Sequence, residues 1–392
     1  MNLLQAVDEL MTARAARAAQ AREVYLKHGV SLRVHLSRDE ALTVTRVREA
    51  GLAERTWLVD GEEKFETRVL TPDAREDTSE ADAMFESRAV AVVRSMATVM
   101  KSPGHDGVRL EGLWLESGTS IEALGNSQGF RGTQSAEQWA CMLAIRTAGA
   151  DADHLGWFEA EGNGLLPPDP PGLAAEAAGR VAASRNGSHR KGSPGRVLVD
   201  GALARQVLRA IGALFTATEE SVGRVSAGLR VAGPEVSVRR AGAHERFDGE
   251  GVPRTQVILV EGGRARGVLT DRRLAGRFGL PLTGSATRAS FRDYPAVAAP
   301  RDLEIRMVGK GFGGETADPL AQVPGRVTYL TEGRVLLAES GGRGLIQGRG
   351  FELQDGRVAR PVSRCVLPGG PGEWLQNLTG AWDRGKTLLI DS

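Results

Sequence analysis

Residues 246–295 read RFDGEGVPRTQVILVEGGRARGVLTDRRLAGRFGLPLTGSATRASFRDYP, and the middle of this stretch decides what the second half of the chain is. Val257 to Val260 and Arg264 to Leu269 are β-forming runs separated only by Glu261-Gly262-Gly263. Paired glycines reach the left-handed backbone that a tight strand-to-strand turn needs, so the stretch predicts an antiparallel hairpin. A second hairpin is predicted where Gly350 to Leu353 and Arg357 to Val362 flank Gln354-Asp355-Gly356. Upstream, Arg196 to Val199 reads as a strand. Ala202 to Thr216 reads as a helix with Val207, Leu208, Ile211 and Leu214 on its apolar side. Strands dominate from there on, and the many glycines fit a glycine-rich antiparallel β architecture with close backbone approaches.

The first half has a different texture. Leu3, Leu4, Val7, Leu10 and Met11 fall at helical spacing and predict an amphipathic helix ending near His28-Gly29. Val30, Leu32, Val34 and Leu36 then alternate with polar residues, and the same style continues through Leu42, Val44 and Val47, which predicts a meander with one buried face. Phe85, Ala89, Val92, Val93, Met96 and Val99 form the stripe of a helix that can cover that sheet. Leu113 and Leu115 open a strand that turns at Asn126-Ser127-Gln128-Gly129 and returns through Phe130 to Met142. Gly162 to Gly172 is rich in Pro and Gly, Leu173 to Arg185 is an alanine-rich helix, and Asn186 to Gly195 is a Gly/Ser/basic linker. The expectation is an α+β protein: residues 1–190 a mixed α/β domain whose antiparallel sheet is covered by helices, residues 191–392 a glycine-rich antiparallel β domain.

Composition narrows the function. A net charge of +1 on 392 residues gives no general attraction to nucleic acid or anionic lipid. No stretch approaches the ~18 apolar residues of a membrane span, and the N-terminus lacks the apolar core of an export signal. Cys141 and Cys365 fit no zinc-knuckle spacing, so a reducing, cytoplasmic location is expected.

Three expressions match by letter and fail by context. Residues 380–387, GAWDRGKT, satisfy the P-loop pattern, which requires a helix after the loop to hold phosphate, yet only Leu388 to Ser392 follow. Gly125 to Gly129 satisfies GxSxG, but strand-like residues follow Ser127 where a nucleophile elbow needs a helix. Gly309 to Gly314 fits GxGxxG with no apolar helix behind it and reads as a flexible loop. A zincin centre needs two histidines four residues apart on one helix face with a glutamate beside the first. His28, His35, His105, His154, His189 and His244 contain no such pair. A carboxylate-rich loop of His244, Glu245, Asp248 and Glu250 is the one alternative metal site, flanked by Gly242, Gly249 and Gly251.

Taken together, Asp248 to Pro253 as a D-x-E-G turn, the hairpin Thr255 to Thr270, the segment Asp271 to Phe278, and Thr283-Gly284 with Arg288 resemble the core of the TldD/PmbA family. The run GFELQDGRVARPVSRCVLPGGPGEWLQNL is similar to the family's closing hairpin and helix. VYLKHGVSLRVHL and GNSQGF are similar to its N-terminal domain. The resemblance implies the α+β then β organisation already read from the pattern. It also implies a choice between two kinds of subunit. TldD-type chains carry HExxH on the helix after the first strand of the C-terminal domain and a cysteine ligand near their end. Here that helix reads GALARQVLRAIGALFTATEES, without histidine, and Cys365 lies upstream of the position expected for the cysteine. Arg209, Ala210 and Ala213 cannot replace two imidazoles. The resemblance is therefore to the PmbA or TldE type. It implies no catalytic residue and no metal in this chain, zinc and general base in a TldD-type partner, a heterodimer, and an extended peptide as substrate, including peptides that need leader removal. Asp248, Glu250, Thr283, Gly284 and Arg288 are the positions expected near the shared chamber. A stand-alone homodimeric peptide-binding protein and an independent metal-dependent hydrolase built on His244 to Glu250 remain as alternatives.

Overall fold

In the computed structural model, which describes residues 3–13, 19–58, 62–70, 80–102, 107–147, 154–183, 188–189, 194–241, 246–297, 300, 302–308, 312–314, 318–338 and 342–392, the first helix is shorter than its spacing predicts. Helix α1 (Leu3–Ala13) ends well before His28, and strand β1 (Ala19–Ser37) occupies the rest. Pairing explains the correction: β1 is central, hydrogen-bonded to β2 (Leu42–Leu58) on one side and to β4 (Val108–Asn126) on the other. Val24 and Leu26 are buried against α1, while Glu23 and Tyr25 are buried on the opposite face. A helix would scatter those four residues; a strand sorts them by period two.

The first sheet has the order β3-β2-β1-β4-β5-β6 and every pair in it is antiparallel. It is completed by β3 (Glu63–Val69), β5 (Arg131–Thr147) and the edge strand β6 (His154–Asn163). Helices α2 (Glu80–Met100) and α3 (Pro170–Ala183) cover its far half, where Leu32, Val34, Leu113, Leu143 and Ile145 pack on Val93, Met96, Ala177 and Val181.

The second half follows from β7 (Ser188–His189), β8 (Arg196–Asp200) and α4 (Gly201–Ala213) through α5 (Glu219–Ser226), β9 (Val236–Arg240), β10 (Val257–Glu261), β11 (Arg264–Ala265) and α6 (Arg272–Phe278). The chain continues through β12 (Ala286–Thr287), β13 (Ala296–Val297), β14 (Leu303–Met307), β15 (Phe312–Gly314), α7 (Pro319–Gln322), β16 (Arg326–Leu337), β17 (Gly344–Gln354), β18 (Arg357–Gly369), α8 (Pro371–Gln376), β19 (Leu378–Trp382) and β20 (Thr387–Asp391). Eight strands form one sheet, β15-β19-β20-β8-β16-β17-β18-β7, and four form a second, β11-β10-β9-β14. Helix α4 is wedged into their common core, with Val207 and Ile211 fully buried beside Val199, Val238, Leu330 and Ile390. Both predicted hairpins are present, although β11 holds only Arg264–Ala265 before the chain leaves the ladder. The architecture is mixed α+β with largely antiparallel sheets. Among the described residues no helix is long and apolar enough to cross a membrane.

Candidate functional site

The face of the first sheet opposite α1 is one of the places where the two halves meet. Alternation along β1 and β2 delivers Glu23, Tyr25, Lys27, Glu49, Gly51, Ala53 and Arg55 to this face. The segment around Ala289–Tyr294 lies across it. Lys27 Nζ donates to the Ala289 carbonyl, Glu49 accepts from the Phe291 amide at 3.1 Å, and the Phe291 ring sits where a side chain on Gly51 would be.

Beneath that segment lies a buried cluster of charges. Arg55 Nη1 donates to Glu250 Oε1 at 2.7 Å, and both side chains are almost wholly enclosed. Glu250 Oε2 accepts from the backbone amide of Arg272 at 2.7 Å. Burial pushes the Glu250 carboxyl up to about 7 against the opposing pull of Arg55 and the Arg272 amide. The Arg55 guanidinium is held between the Trp57 and Tyr294 rings, each centred 4.5 Å away, and also donates to Glu63 and the Tyr294 hydroxyl. Arg288 Nη2 donates to Glu23 Oε1 at 2.6 Å and Nε to the Gly249 carbonyl at 2.9 Å, with the Tyr25 ring beneath it. Burial raises the Glu23 carboxyl above its ordinary range, opposed chiefly by Arg288.

The five positions expected near a chamber divide in two. Asp248, Glu250 and Arg288 belong to this junction. Asp248 is a brace: Oδ1 accepts from the amides of Glu250 and Val252 at 2.9 Å each, and Oδ2 from that of Ala286 at 3.0 Å. Its carboxyl is raised, burial outweighing those three amides. Thr283 and Gly284 instead wrap the buried Arg240, which donates to their carbonyls at 2.7 Å and to the Ser285 hydroxyl and the Thr255 carbonyl at 2.6 Å. Gly284 has φ +61°, and a Cβ there would lie 2.4 Å from the Pro253 carbonyl oxygen. Sequence reading missed Glu23, Arg55, Arg272 and Tyr294. The local sequence carried little signal, because Glu23 and Arg55 stand beside other charges, Arg22 and Glu54, in their strands.

Beside the cluster is a cavity of about 240 Å³, lined by Glu23, Arg55, Trp57, Ser127, Arg272 and Arg273 among others, with no histidine in its wall. Ser127 is a turn residue: its amide donates to the Arg22 carbonyl and its Oγ accepts from the Arg22 amide. The P-loop expression lies across β19, a short helical turn at Asp383–Gly385, and β20, so no helix N-terminus follows it. In the GxGxxG match, residues 309–311 lie outside the described residues. Phe312–Gly314 is not a loop, as its glycines suggest, but strand β15, which the parallel ladder with β19 holds extended.

The fit to a catalytic zinc is poor. On α4, Arg205 and Arg209 stand four residues apart and both reach Glu161 of β6, at 3.2 and 2.9 Å. His244 and Glu245 of the alternative loop lie outside the described residues, and the oxygens of Asp248 and Glu250 are engaged by amides and Arg55. Cys141 and Cys365 lie buried in different sheets, and no disulfide joins them. Among the described residues no three His, Cys, Asp or Glu side chains gather as a metal cluster.

Residues 194–387 match the family described as the PmbA/TldA metallopeptidase C-terminal domain. A metalloprotease of Methanothermobacter thermautotrophicus is 30% identical over 143 residues, which is 34% of this chain and 28% of that relative, so the chain spans little more than a quarter of the curated protein it matches. In three dimensions the chain is similar to TldE from Thermococcus kodakarensis, with TM-score 0.79, 13% identity and 98% of both chains covered. It is also similar to a proposed modulator of a DNA gyrase from Thermotoga maritima, with TM-score 0.77, 14% identity, 98% of this chain and 97% of the other. A counterpart from Bacteroides thetaiotaomicron gives TM-score 0.74, 14% identity and coverage of 99% and 97%. At such identities the likeness is one of fold.

Proposed function

As a member of the PmbA/TldD family through its C-terminal half, this chain is, we propose, the metal-free subunit of a two-subunit metallopeptidase. The observation that carries the reading is helix α4. In the catalytic kind of subunit this helix carries two histidines that hold zinc and a glutamate that serves as base; here it carries no histidine, and its Arg205 and Arg209 are held by Glu161. A guanidinium remains charged at all working pH and offers no lone pair to a metal.

The partner would contribute zinc and the general base that arms water for amide hydrolysis. This chain would close the chamber and hold an extended peptide through backbone groups, a task that calls for sheet edges and shape more than for reactive side chains. The buried Arg55–Glu250 and Arg288–Glu23 pairs suit that role, because they fix the two halves of the subunit against each other and so fix the wall they form. The substrates expected are unfolded polypeptides and ribosomally made peptides awaiting leader removal, processed in the cytoplasm.

Reconstitution is the test. The purified chain should cleave no peptide alone, and mixing it with a TldD-type subunit from the same source should give chelator-sensitive cleavage at a one-to-one ratio. Chelator-sensitive hydrolysis by the chain alone would overturn the assignment. Failure to co-purify with any HExxH-bearing chain, together with a stable homodimer, would favour the stand-alone binding protein.

A further inference from the structure

The cavity of about 240 Å³ beside the junction lies between the turn after β4, Asn126 to Gln128, and the first residues of α6, Arg272 and Arg273. Four guanidiniums and two carboxylates belong to its wall. Both carboxylates are engaged: Glu63 by Arg55, and Glu23 by Arg288 through Oε1, while its Oε2 is sealed from solvent. Two of the guanidiniums are engaged as well, Arg22 by Glu54 and Arg55 by Glu63 and Glu250. Arg272 and Arg273 meet no carboxylate side chain among the described residues.

Arg272 is half-buried and held in place by neutral groups alone. It reaches from α6 to the opposite wall, donating from Nη1 to Gln128 Oε1 at 3.1 Å and from Nη2 to the Glu250 carbonyl at 3.4 Å. Two of its five N–H groups are thus engaged. Its Nε has no partner and, unlike Glu23 Oε2, is open to solvent. The contact with Arg272 also fixes the Gln128 amide: the oxygen faces the guanidinium, so the NH2 end is left over as a donor. Ser127 Oγ accepts from the Arg22 amide at 3.0 Å, which leaves its O–H to donate. What α6 and the turn leave over is therefore a set of donors, two of them charged.

Guanidiniums without a counter-charge, flanked by amide and hydroxyl donors, select an oxyanion, because charge-assisted N–H···O bonds are the strong ones and the guanidinium fork fits two oxygens at once. Glu23 and Glu63 in the same wall disfavour a dianion such as phosphate. We propose that this cavity binds a carboxylate borne by a peptide, its oxygens on Arg272 and Arg273, with Gln128 and Ser127 donating beside them. Trp57, half-buried in the same wall, offers apolar surface to the residue that bears the charge. The peptide as bearer rests on the function proposed above; the carboxylate rests on the wall alone.

Binding is read on this chain without a catalytic partner, so it can fail while reconstituted cleavage succeeds, and the reverse. Titration calorimetry is the experiment, with N-acetyl-trialanine, its C-terminal amide, N-acetyl-Ala-Glu-Ala-amide and inorganic phosphate as probes. N-acetyl-trialanine should bind, and amidation, which removes the charge, should weaken binding at least about tenfold. Arg272→Gln and Arg273→Gln should each do the same, and Arg33→Gln, at an exposed pair with Glu116 on the first sheet, should leave binding unchanged. Tighter binding of N-acetyl-trialanine assigns the site to a peptide's C-terminus, and tighter binding of the glutamate peptide assigns it to an acidic side chain. Arg273 is exposed and makes no hydrogen bond among the described residues, so Arg273→Gln decides should Arg272→Gln fail to fold. Equal affinity for the uncharged amide, wild-type affinity in Arg273→Gln, phosphate binding tighter than either carboxylate, or no binding up to about 10 mM overturns the proposal.

Discussion

Replacing Arg55 by methionine tests whether the junction between the two halves is held by paired charge. The substitution keeps a long apolar stem between the Trp57 and Tyr294 rings and leaves Glu250 buried without its cation. With charge centres ~4 Å apart and an effective dielectric of ~20, the pair is worth about 4 kcal/mol, in line with the roughly 3–5 kcal/mol lost when one member of a buried pair is removed. Glu250 has an escape: its carboxyl already titrates at about 7, and without Arg55 it rises further and takes up a proton. The penalty must then depend on pH. Above pH 7 the wild-type carboxyl is ionised in both states and its contribution is flat, whereas the variant continues to titrate, so the gap widens by about 1.4 kcal/mol per pH unit until the variant's own pKa is passed. The assay is urea unfolding at pH 6, 7, 8 and 9, followed by tryptophan fluorescence. The expected gap is small at pH 6 and several kcal/mol at pH 9, and in Arg55→Met/Glu250→Gln much of the loss at pH 9 should return. A gap that is the same at every pH, or under about 1 kcal/mol throughout, would show that the pair does not hold the junction.

The wild type should itself lose stability as pH rises. A folded-state pKa of about 7 for Glu250, above its ordinary 4.5, means that the folded protein binds the proton more tightly; the benefit is complete below about 4.5 and gone above 7, about 3 kcal/mol across that window. Glu250→Gln should flatten that part of a melting-temperature profile, and an unchanged slope would assign it elsewhere. Gly284→Ala, at φ +61° with a carbonyl oxygen 2.4 Å from the new Cβ, should cost more than about 2 kcal/mol, whereas Gly279→Ala, at φ +62° with open space around it, should cost about 1 kcal/mol; equal melting temperatures would refute the packing argument. Asp271 caps α6 by accepting from the Leu274 amide at 2.7 Å, so Asp271→Ala should lose at least about 1 kcal/mol in denaturant unfolding. Cys141, its thiol pushed up to about 11 by burial, and Cys365 should resist a thiol reagent in the native protein and react on unfolding; rapid native labelling would contradict their enclosure.

Sequence alone determined the features that are local in origin. A Gly-Gly pair at Gly262-Gly263 and an Asp-Gly pair at Asp355-Gly356 fixed the two hairpins, because these residues reach the positive φ that so tight a turn needs. Helical spacing fixed α2 and α4, and the absence of any histidine on α4 is a property of composition that no folding can alter. The order of the turn around Asp248, the hairpin and Thr283-Gly284 carried the family resemblance in the same way. Tertiary structure alone decided where α1 stops, because β1 is a strand by virtue of its two partners, far away at Leu42–Leu58 and Val108–Asn126. It decided that Glu250 meets Arg55 across 195 positions and Arg288 meets Glu23 across 265. It also separated Thr283 and Gly284 from their neighbours in the resemblance by giving them a buried arginine to enclose. A charge within a strand is plain in the sequence. Whether it is solvated or paired depends on what the opposite sheet face meets, and that is settled only when distant segments pack together.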